Sequence, residues 1–365
     1  MNIDLATLRA IRAQEGVEVR ELIYAIRAGL EQSYRAHTLY EGEVDVDIDE
    51  ETGEVAIYQV EGDDSGAVAG RLDETPSSFD RSSALAVRDA IRRCINGARV
   101  QKRYDVYSPL RYTVVSGVVT ADARANERGI TVVRIGTEAE GIDGQILPAE
   151  HIPGEQLRHG QRVKAFVTDV IKNGDRNVQI SMSRTHPELV RGLFALEVPE
   201  VADEAVEIVS IAREAGHRTK MSVTANVKGL NAKGACIGPR GQRVSAIMRE
   251  LSGEKIDIID YSDDPARYVG NALSPSKYVS STVTDPDAQI ARVVVPDYQL
   301  SLAIGREGQN VRLAARLTGW KIDIRSETQA AEEAKARATS DNNDAGNDAE
   351  QPAESSEEQP TDGTV

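Results

Sequence analysis

The feature that most constrains this chain is an internal repeat in its second half. The segment ACIGPRGQRVSAIMRELSGEKIDI at 235–258 is matched by LAIGREGQNVRLAARLTGWKIDI at 302–324. The glycine pair Gly238 and Gly241 recurs in the second copy at an offset of 67 residues. A repeat is one supersecondary unit present twice, so we expect both copies to fold alike.

Each copy is predicted to contain a helix, two strands, a helix, a GxxG loop, a helix and a last strand. Helical periodicity predicts the opening helices at 186–197 and 265–272. Runs rich in β-branched residues predict strands at 206–214, 219–225, 277–284 and 290–295. Two consecutive α+β units are therefore expected at 186–262 and 263–326.

The GxxG loops carry the clearest chemistry in the sequence. Two glycines let a nucleic-acid backbone approach closely, and the following helix offers unpaired N–H groups and its positive dipole end to a phosphate. This is the KH mode of holding a single strand, in which the loop clamps about four nucleotides. A helix corner that binds nothing is the alternative, and the duplicated flanks favour the KH interpretation. Glu307 in the second loop predicts weaker phosphate binding there. The candidate RNA-binding residues are Lys233, Gly238, Arg240, Gly241, Gln242, Arg243, Gly305, Arg306, Gly308, Gln309, Asn310 and Arg312.

Residues 106–185 have a different, β-rich character. Five short runs separated by turn signals predict a small closed barrel of the OB type, with another small β domain as the alternative. The expected first-hairpin stretch at 117–136 has no aromatic residue, and Tyr112 and Phe166 are isolated residues that we expect in the core. We therefore expect weak RNA affinity from this barrel. Arg124, Arg128 and Arg134 are expected to form a solvated basic face, with contact to phosphates as the alternative.

Residues 1–105 form an acidic α+β unit with 21 acidic and 13 basic residues. Amphipathic periodicity predicts helices at 17–35 and 83–100, with a loop at 61–80. Between the helices, Val44, Val46 and Ile48 alternate with aspartates, which predicts a hairpin with one acidic, solvated face. Alternate strand residues do not wrap an ion as a calcium loop does, so a solvated edge is the preferred interpretation.

The last segment, 327–365, holds 11 acidic and 2 basic residues. Apart from alanines its only aliphatic residue is Val365, so it cannot bury enough apolar surface to fold. A disordered acidic C-terminal tail is expected, with transient helix at 327–338. A solubilising role is preferred over an acidic decoy for a basic surface. The whole chain carries a net charge of −16, whereas residues 106–326 carry 28 basic and 27 acidic residues.

The sequence lacks the common catalytic and metal-binding motifs. No Gly-Lys dipeptide of a Walker A loop, HExxH pair or G-x-S-x-G elbow occurs, and the two cysteines lie 142 positions apart. We expect no enzyme activity, no cofactor and no metal. No apolar run approaches the ~20 residues of a membrane span. The start lacks the apolar core of a signal peptide, so we expect a cytoplasmic protein without membrane attachment.

Several stretches resemble the NusA family. They include NVQISMSRTHPELVRGLFALEVPEV at 177–201, NAKGACIGPRGQRV at 231–244 and VVVPDYQLSLAIGREGQNVRLAARLTGWKIDI at 293–324. The resemblance covers roughly residues 1–326. It implies a bacterial transcription factor that binds RNA polymerase and the nascent single-stranded RNA, and that acts in pausing, termination and antitermination. Other elongation or antitermination factors are further partners that the resemblance allows.

The resemblance also implies a domain order. We expect a multidomain α+β chain with an N-terminal α/β unit, an OB-type S1 β-barrel, two tandem type II KH domains and a disordered acidic tail. The expected boundaries are 1–105 for polymerase binding, 106–185 for S1, 186–262 and 263–326 for the KH domains, and 327–365 for the tail.

Two other functions stay open from the residues alone. One is a ribosome- or messenger-associated S1–KH adaptor, and the other is an accessory chain of a ribonuclease. The acidic N-terminal unit favours a protein partner over direct RNA contact, since like charge repels phosphate.

Overall fold

The computed structural model describes residues 2–62, 68–76, 81–137 and 140–344. The chain divides into two compact bodies. The first comprises residues up to His151 together with Gln156–Arg184. The second comprises Ile152–Glu155 and the residues from Thr185 onwards.

The first body begins with an α/β layer in which helices cover one face of a small sheet. Its elements are α1 (Leu5–Glu15), α2 (Val19–Thr38), β1 (Glu43–Ile48), β2 (Val55–Gly62), β3 (Val68–Asp73) and α3 (Arg81–Tyr107). The strands are antiparallel in the order β1-β2-β3. The predicted hairpin is confirmed, and Val44, Val46 and Ile48 are buried against Leu22 and Ile26 of α2.

Two parts of this layer differ from the prediction. Residues 61–80 were expected to be a loop, but β3 pairs with β2, with Leu72 opposite Gln59. The helix α1 was not anticipated because only Leu5 and Leu8 on it are buried, which gives a weak amphipathic pattern. Residues 63–67 and 77–80, which also belong to the expected loop, lie outside the described part of the chain.

Helix α3 packs against both the N-terminal layer and the barrel that follows. Its first half packs against α2 through Ile91 and Ile95. Its last turns carry Val100 and Tyr104 into the core of the barrel. The domain boundary predicted at residue 105 lies inside this helix, because one continuous apolar stripe contacts both cores.

The barrel is closed and has five strands, as the sequence predicts. Its elements are β4 (Val114–Thr120), α4 (Ala123–Glu127), β5 (Thr131–Ile135), β6 (Ile142–Ile146), β7 (Arg162–Asn173) and β8 (Asn177–Ser183). The strand order is β4-β5-β6-β8-β7, and β7 closes the barrel by pairing with β4. Alternating residues such as Val133, Ile146 and Ile180 fill the interior.

The two isolated aromatic residues of the barrel do not share one environment. Phe166 is buried as expected, but Tyr112 is 69% exposed, so its placement in the core was wrong. The Tyr112 ring lies 6.5 Å from the Phe166 ring and 5.8 Å from the Arg111 guanidinium. Tyr112 has a backbone φ of 64° and lies two residues before β4 begins at Val114.

The second body contains the repeat. The first copy consists of α5 (Pro187–Glu197), α6 (Pro199–Ala202), β9 (Val206–Glu214), β10 (Arg218–Ala225), α7 (Ala232–Ile237), α8 (Gln242–Glu250) and β11 (Lys255–Asp260). The second copy consists of α9 (Pro265–Ala272), β12 (Ser280–Asp285), β13 (Ile290–Val295), α10 (Leu300–Ile304), α11 (Gln309–Thr318) and β14 (Lys321–Ser326). In each sheet the central strand, β10 or β13, pairs antiparallel with the preceding strand and parallel with the last one. The predicted element order is confirmed in the second copy, and in the first copy it is confirmed apart from the additional short helix α6.

The two copies pack directly on each other. Helix α11 lies on β9, where Ala212 joins the core of the second copy. The Ser210 hydroxyl donates to the Leu317 carbonyl at 3.1 Å, and the Tyr268 hydroxyl donates to Ser222 Oγ at 2.8 Å. Apolar contact and satisfied buried hydrogen bonds therefore hold the copies in a fixed arrangement.

A last helix, α12 (Glu327–Asp344), follows β14 directly. The expectation of disorder from residue 327 is corrected here, because the helix is bonded to the second copy. Glu333 pairs with Arg292 at 3.0 Å and with Arg325 at 3.1 Å, and the Thr328 hydroxyl donates to Asp297 at 2.9 Å. Residues 345–365 of the predicted tail lie outside the described residues. None of the helices in the described part has the length and apolarity that crossing a membrane requires.

Candidate nucleic-acid interface

The GxxG loops of the two copies have the same backbone. Gly238 and Gly305 open the loops at φ 72°, ψ 174° and φ 76°, ψ 171°. This conformation is essentially restricted to glycine. Arg240 and Glu307 follow in the left-handed region at φ 52°, and Gly241 also has a positive φ of 74°. Such consecutive left-handed residues turn the chain sharply from one helix into the next.

The helices after the loops present uncapped N-termini. Among the described residues, no side chain caps α8 or α11, whose N-cap positions are Gly241 and Gly308. Their first N–H groups are therefore free of side-chain acceptors, and the helix dipole adds positive potential there. This arrangement is the ordinary helix-terminus site for an anion such as phosphate.

The two glycines of each loop face different surroundings. A Cβ on Gly305 would meet the backbone nitrogen and the Cβ of Asn310 at 2.8 Å. A Cβ on Gly308 would have its nearest neighbour, Val311 Cγ1, at 4.0 Å. Gly241 is equally open, with Ser245 Oγ at 4.0 Å. The first glycine is thus required by packing, whereas the second leaves room for a ligand's backbone.

Around the first loop, Arg240 and Gln242 are exposed, and Lys233 is half-buried with its ammonium 3.8 Å from Asp260. Arg243 is directed inward instead. Its Nη1 donates to Glu200 of α6 at 2.9 Å and to the Ala235 carbonyl at 2.7 Å. This side chain ties the helices on either side of the loop together rather than facing solvent.

The second loop carries one fully exposed cation. The Arg306 side chain is 92% exposed and lies 3.6 Å from the Glu307 carboxylate, itself 82% exposed. Such an exposed pair contributes little to stability. Asn310 was expected to face RNA, but it is 2% exposed. Its amide donates to the carbonyls of Leu273 and Ala303, both at 2.9 Å, so the expectation is corrected to a structural role.

The remaining predicted residues of the second loop are turned toward the first copy. Glu214, the last residue of β9, accepts from Gln309 Nε2 and from Arg312 Nε, each at 2.9 Å. It also accepts from Arg316. The hydrogen bond from Arg312 is the main cause that lowers the pKa of Glu214 to about 2. Sequence reasoning missed Glu214 and Arg316, because the partners lie 98 and 102 positions apart with no local pattern linking them.

A cleft of about 780 Å³ lies beside this cluster, between the two copies. The second copy contributes Gly305, Arg306 and Arg312 to its lining. The first copy contributes the basic side chains of Arg218 and Lys255. Arg218 is held by Asp257 at 2.7 Å. Positive groups from both copies therefore border one concave surface at the second loop.

No cluster of three or more His, Cys, Asp or Glu side chains that could hold a metal occurs among the described residues. Cys236 is fully buried, and burial raises the pKa of its thiol to about 11, so it is a poor nucleophile at neutral pH.

A closed five-stranded barrel followed by two packed GxxG units defines a tandem KH protein. A family model described as the NusA-like first KH domain matches residues 184–261. A model described as the NusA-like second KH domain matches residues 265–332. These matches include the loops and helices described above.

Full-length relatives extend the match beyond the KH units. Transcription termination/antitermination protein NusA of Mycobacterium tuberculosis strain H37Rv is 53% identical over 327 residues, covering 90% of this chain and 94% of that protein. The proteins of the same name from Halalkalibacterium halodurans and Bacillus subtilis strain 168 are each 38% identical. These alignments cover 89% and 90% of this chain and 88% and 92% of the relatives. The chain belongs to the NusA family of transcription termination/antitermination proteins.

Proposed function

We propose that this chain binds RNA polymerase through its N-terminal layer and holds the emerging single-stranded RNA on its two GxxG loops. Bound in this way, it modulates pausing, termination and antitermination, in the cytoplasm where polymerase and nascent RNA meet. The names of its relatives support the role in transcription. The sites proposed on this chain rest on the geometry and exposure of its own residues.

The observation that carries RNA binding is the pair of loops with matching backbone conformation, each at an uncapped helix N-terminus, in one packed body. Each loop can clamp about four nucleotides. Two clamps in fixed positions make the second contact effectively intramolecular, which raises affinity for a strand long enough to reach both.

The residues divide into those that touch the strand and those that hold the loops. Direct contact is proposed for the glycines, whose backbones the strand approaches, and for the exposed or half-buried side chains beside them. This contact set is Lys233, Gly238, Arg240, Gly241, Gln242, Gly305, Arg306 and Gly308. The holding set is Arg243, Gln309, Asn310 and Arg312, which bond to protein acceptors.

Replacement of Gly241 and Gly308 by aspartate tests the clamps. Both positions face open space, so the fold is expected to persist, while a carboxylate would stand where the phosphate passes. We expect each single variant to bind RNA more weakly and the double variant to lose specific binding, as measured by fluorescence anisotropy across a salt series. The Gly241 change should cost more, because Glu307 already weakens the second loop. Unchanged affinity in a folded double variant would refute the clamps.

Gly319→Asp is the matched control for that experiment. Gly319 ends α11, has a positive φ of 78° and also faces open space. The substitution adds the same charge and the same backbone strain at the opposite end of the helix. RNA binding should be nearly unchanged, which separates local blocking of the loop from a general charge effect.

Polymerase docking is proposed for the N-terminal layer because its acidic surface suits a protein partner better than RNA. The full chain carrying Glu43→Lys and Asp47→Lys, both on the exposed face of β1, should capture less polymerase from lysate and still bind RNA. Glu357→Lys with Glu358→Lys applies the same charge change elsewhere and should leave capture unchanged. Capture of ribosomal subunits in place of polymerase would favour the adaptor function.

A further inference from the structure

The two clamps are anchored in different ways, and the difference involves Glu214. In the first copy, Arg243 joins the flanking helices and is held by Glu200 of the same copy. In the second copy, Asn310 occupies the place that corresponds to Arg243 and joins α11 to Ala303 of α10 and to Leu273 at the end of α9. The carboxylate that stabilises this second loop region comes from the other copy, and it is Glu214.

Glu214 bonds to three side chains along one face of α11. Gln309 is the first residue of the helix, Arg312 lies three positions later, and Arg316 follows one turn further on. Contacts at three positions of one helix fix both its axial position and its rotation, which a single contact cannot do. The Glu214 side chain is only 20% exposed, so these charge-assisted bonds are partly shielded from water.

The contact continues from α11 into the loop. Arg312 donates through Nε to Glu214 at 2.9 Å and through Nη1 to the Glu307 carbonyl at 3.2 Å. Glu307 is the loop residue with the left-handed backbone. One guanidinium therefore connects the end of β9 in the first copy with the backbone of the second GxxG loop.

The segment of the first copy that carries Glu214 is rigid. Glu214 follows Arg213, whose side chain is 1% exposed and paired with the fully buried Glu254 at 2.9 Å. Glu254 also accepts from the Gly216 backbone N–H at 2.9 Å and from the Thr219 hydroxyl. The turn between β9 and β10 is thus fixed immediately beside Glu214, so the position of the carboxylate is set by the first copy.

We propose that Glu214 is a positioning residue that holds the second GxxG loop in register with the first, so that one RNA strand meets both clamps. This role rests on the proposed RNA binding by both loops. Glu214 does not touch the strand. Its effect is to set the orientation of the second loop within the packed pair of copies so that the two clamps act as one extended site, and the effect is confined to strands long enough to span both.

The test compares Glu214→Ala with the unaltered full chain on two single-stranded RNAs. One oligonucleotide has four nucleotides and occupies one clamp, and the other has about twelve and can reach both. Fluorescence anisotropy gives the ratio of the two affinities. We expect the preference of the unaltered chain for the long RNA to fall by roughly tenfold or more in the variant, because the effective concentration at the second clamp drops.

Removing Glu214 also releases Arg312 and Arg316, which can bind phosphate. The comparison is therefore repeated at high salt, where contacts to phosphate weaken most. Affinity for the short RNA should rise slightly at low salt and match that of the unaltered chain at high salt. The loss of preference for the long RNA should remain at both salt concentrations, which a pure charge effect would not produce.

Two further variants complete the design. Glu207→Ala removes an exposed glutamate from the other end of β9 and should keep the full preference for the long RNA. Glu214→Gln keeps oxygen and nitrogen groups for hydrogen bonding and should recover part of the preference. A folded Glu214→Ala variant that keeps the full preference would overturn the positioning role. Absence of any length preference in the unaltered chain would instead refute two-clamp binding itself, and the positioning role with it.

Discussion

Replacing the two glycines of the second loop by alanine should have very different consequences. Gly305→Ala and Gly308→Ala add the same methyl group three residues apart in one loop. Both glycines have positive φ values, 76° and 72°. Only Gly305 combines this φ with an extended ψ of 171° and with a close neighbour at its Cβ position.

The expected magnitudes follow from these geometries. Alanine at 308 would occupy the ordinary left-handed region in open space, which costs about 1–2 kcal/mol. Alanine at 305 would occupy a conformation nearly restricted to glycine, at about 1–3 kcal/mol. It would also press on the Asn310 backbone nitrogen at 2.8 Å. That atom belongs to α11 and cannot rotate away, so overpacking adds about 1–3 kcal/mol. The total for Gly305→Ala is therefore about 2–6 kcal/mol.

Hydrogen exchange followed by mass spectrometry suits this comparison, because it reports local opening in a chain with several cores. Peptides covering 300–326 should lose more protection in Gly305→Ala than in Gly308→Ala, because the expected cost of the first change is larger. RNA affinity should fall with both changes, through loss of the loop structure at 305 and through a methyl group in the path of the strand at 308. Equal losses of protection in the two variants would refute the assignment of different roles to the two glycines.

Three further outcomes are expected. The pKa of Glu214, about 2 against an ordinary value of 4.5, means that its carboxylate stabilises the fold above about pH 4.5 and loses that contribution as the pH falls through about 2. Glu214→Ala should therefore cost up to about 3 kcal/mol at neutral pH and little at pH 2, as measured by denaturant unfolding. Glu254→Ala should cost about 3–5 kcal/mol, since it leaves a buried guanidinium unpaired, and a change in melting temperature near zero would contradict this. Deleting residues 345–365 should leave the melting temperature nearly unchanged, whereas deletion from residue 327 should lower it measurably, because the ion pairs of Glu333 are lost.

Much of the architecture is determined by local sequence. The repeat predicts that 235–258 and 302–324 fold alike, and the structure gives their loops matching backbone angles. Helix starts are marked by residues whose side chains accept from a backbone N–H of the first turn, such as Asp264 at α9 and Asn231 at α7. These features depend on neighbours within a few positions, so residue spacing is sufficient to reveal them.

Elements with a weak local sequence pattern could be recognised only in the tertiary structure. Strand β3 follows a segment rich in Gly and Asp and forms by pairing with β2. Helix α12 has little apolar periodicity, and its Glu333 bonds to arginines of the adjacent sheet. Tyr112 is exposed although its ring lies 6.5 Å from that of the buried Phe166, and composition does not reveal this exposure. In each case the deciding partner or geometry lies outside the local pattern.

The sequence by itself determined the two GxxG loops, the barrel and their order, because strand alternation, helix periodicity and glycine spacing are local properties of the chain. Only the tertiary structure decided which side chains at the second loop remain available to a ligand. Asn310 is buried, and Gln309 and Arg312 are bonded to a carboxylate 95 and 98 positions away. The physical reason is that a side chain's direction depends on the partner that satisfies its charge or hydrogen bonds, and packing of one repeat on the other supplies that partner.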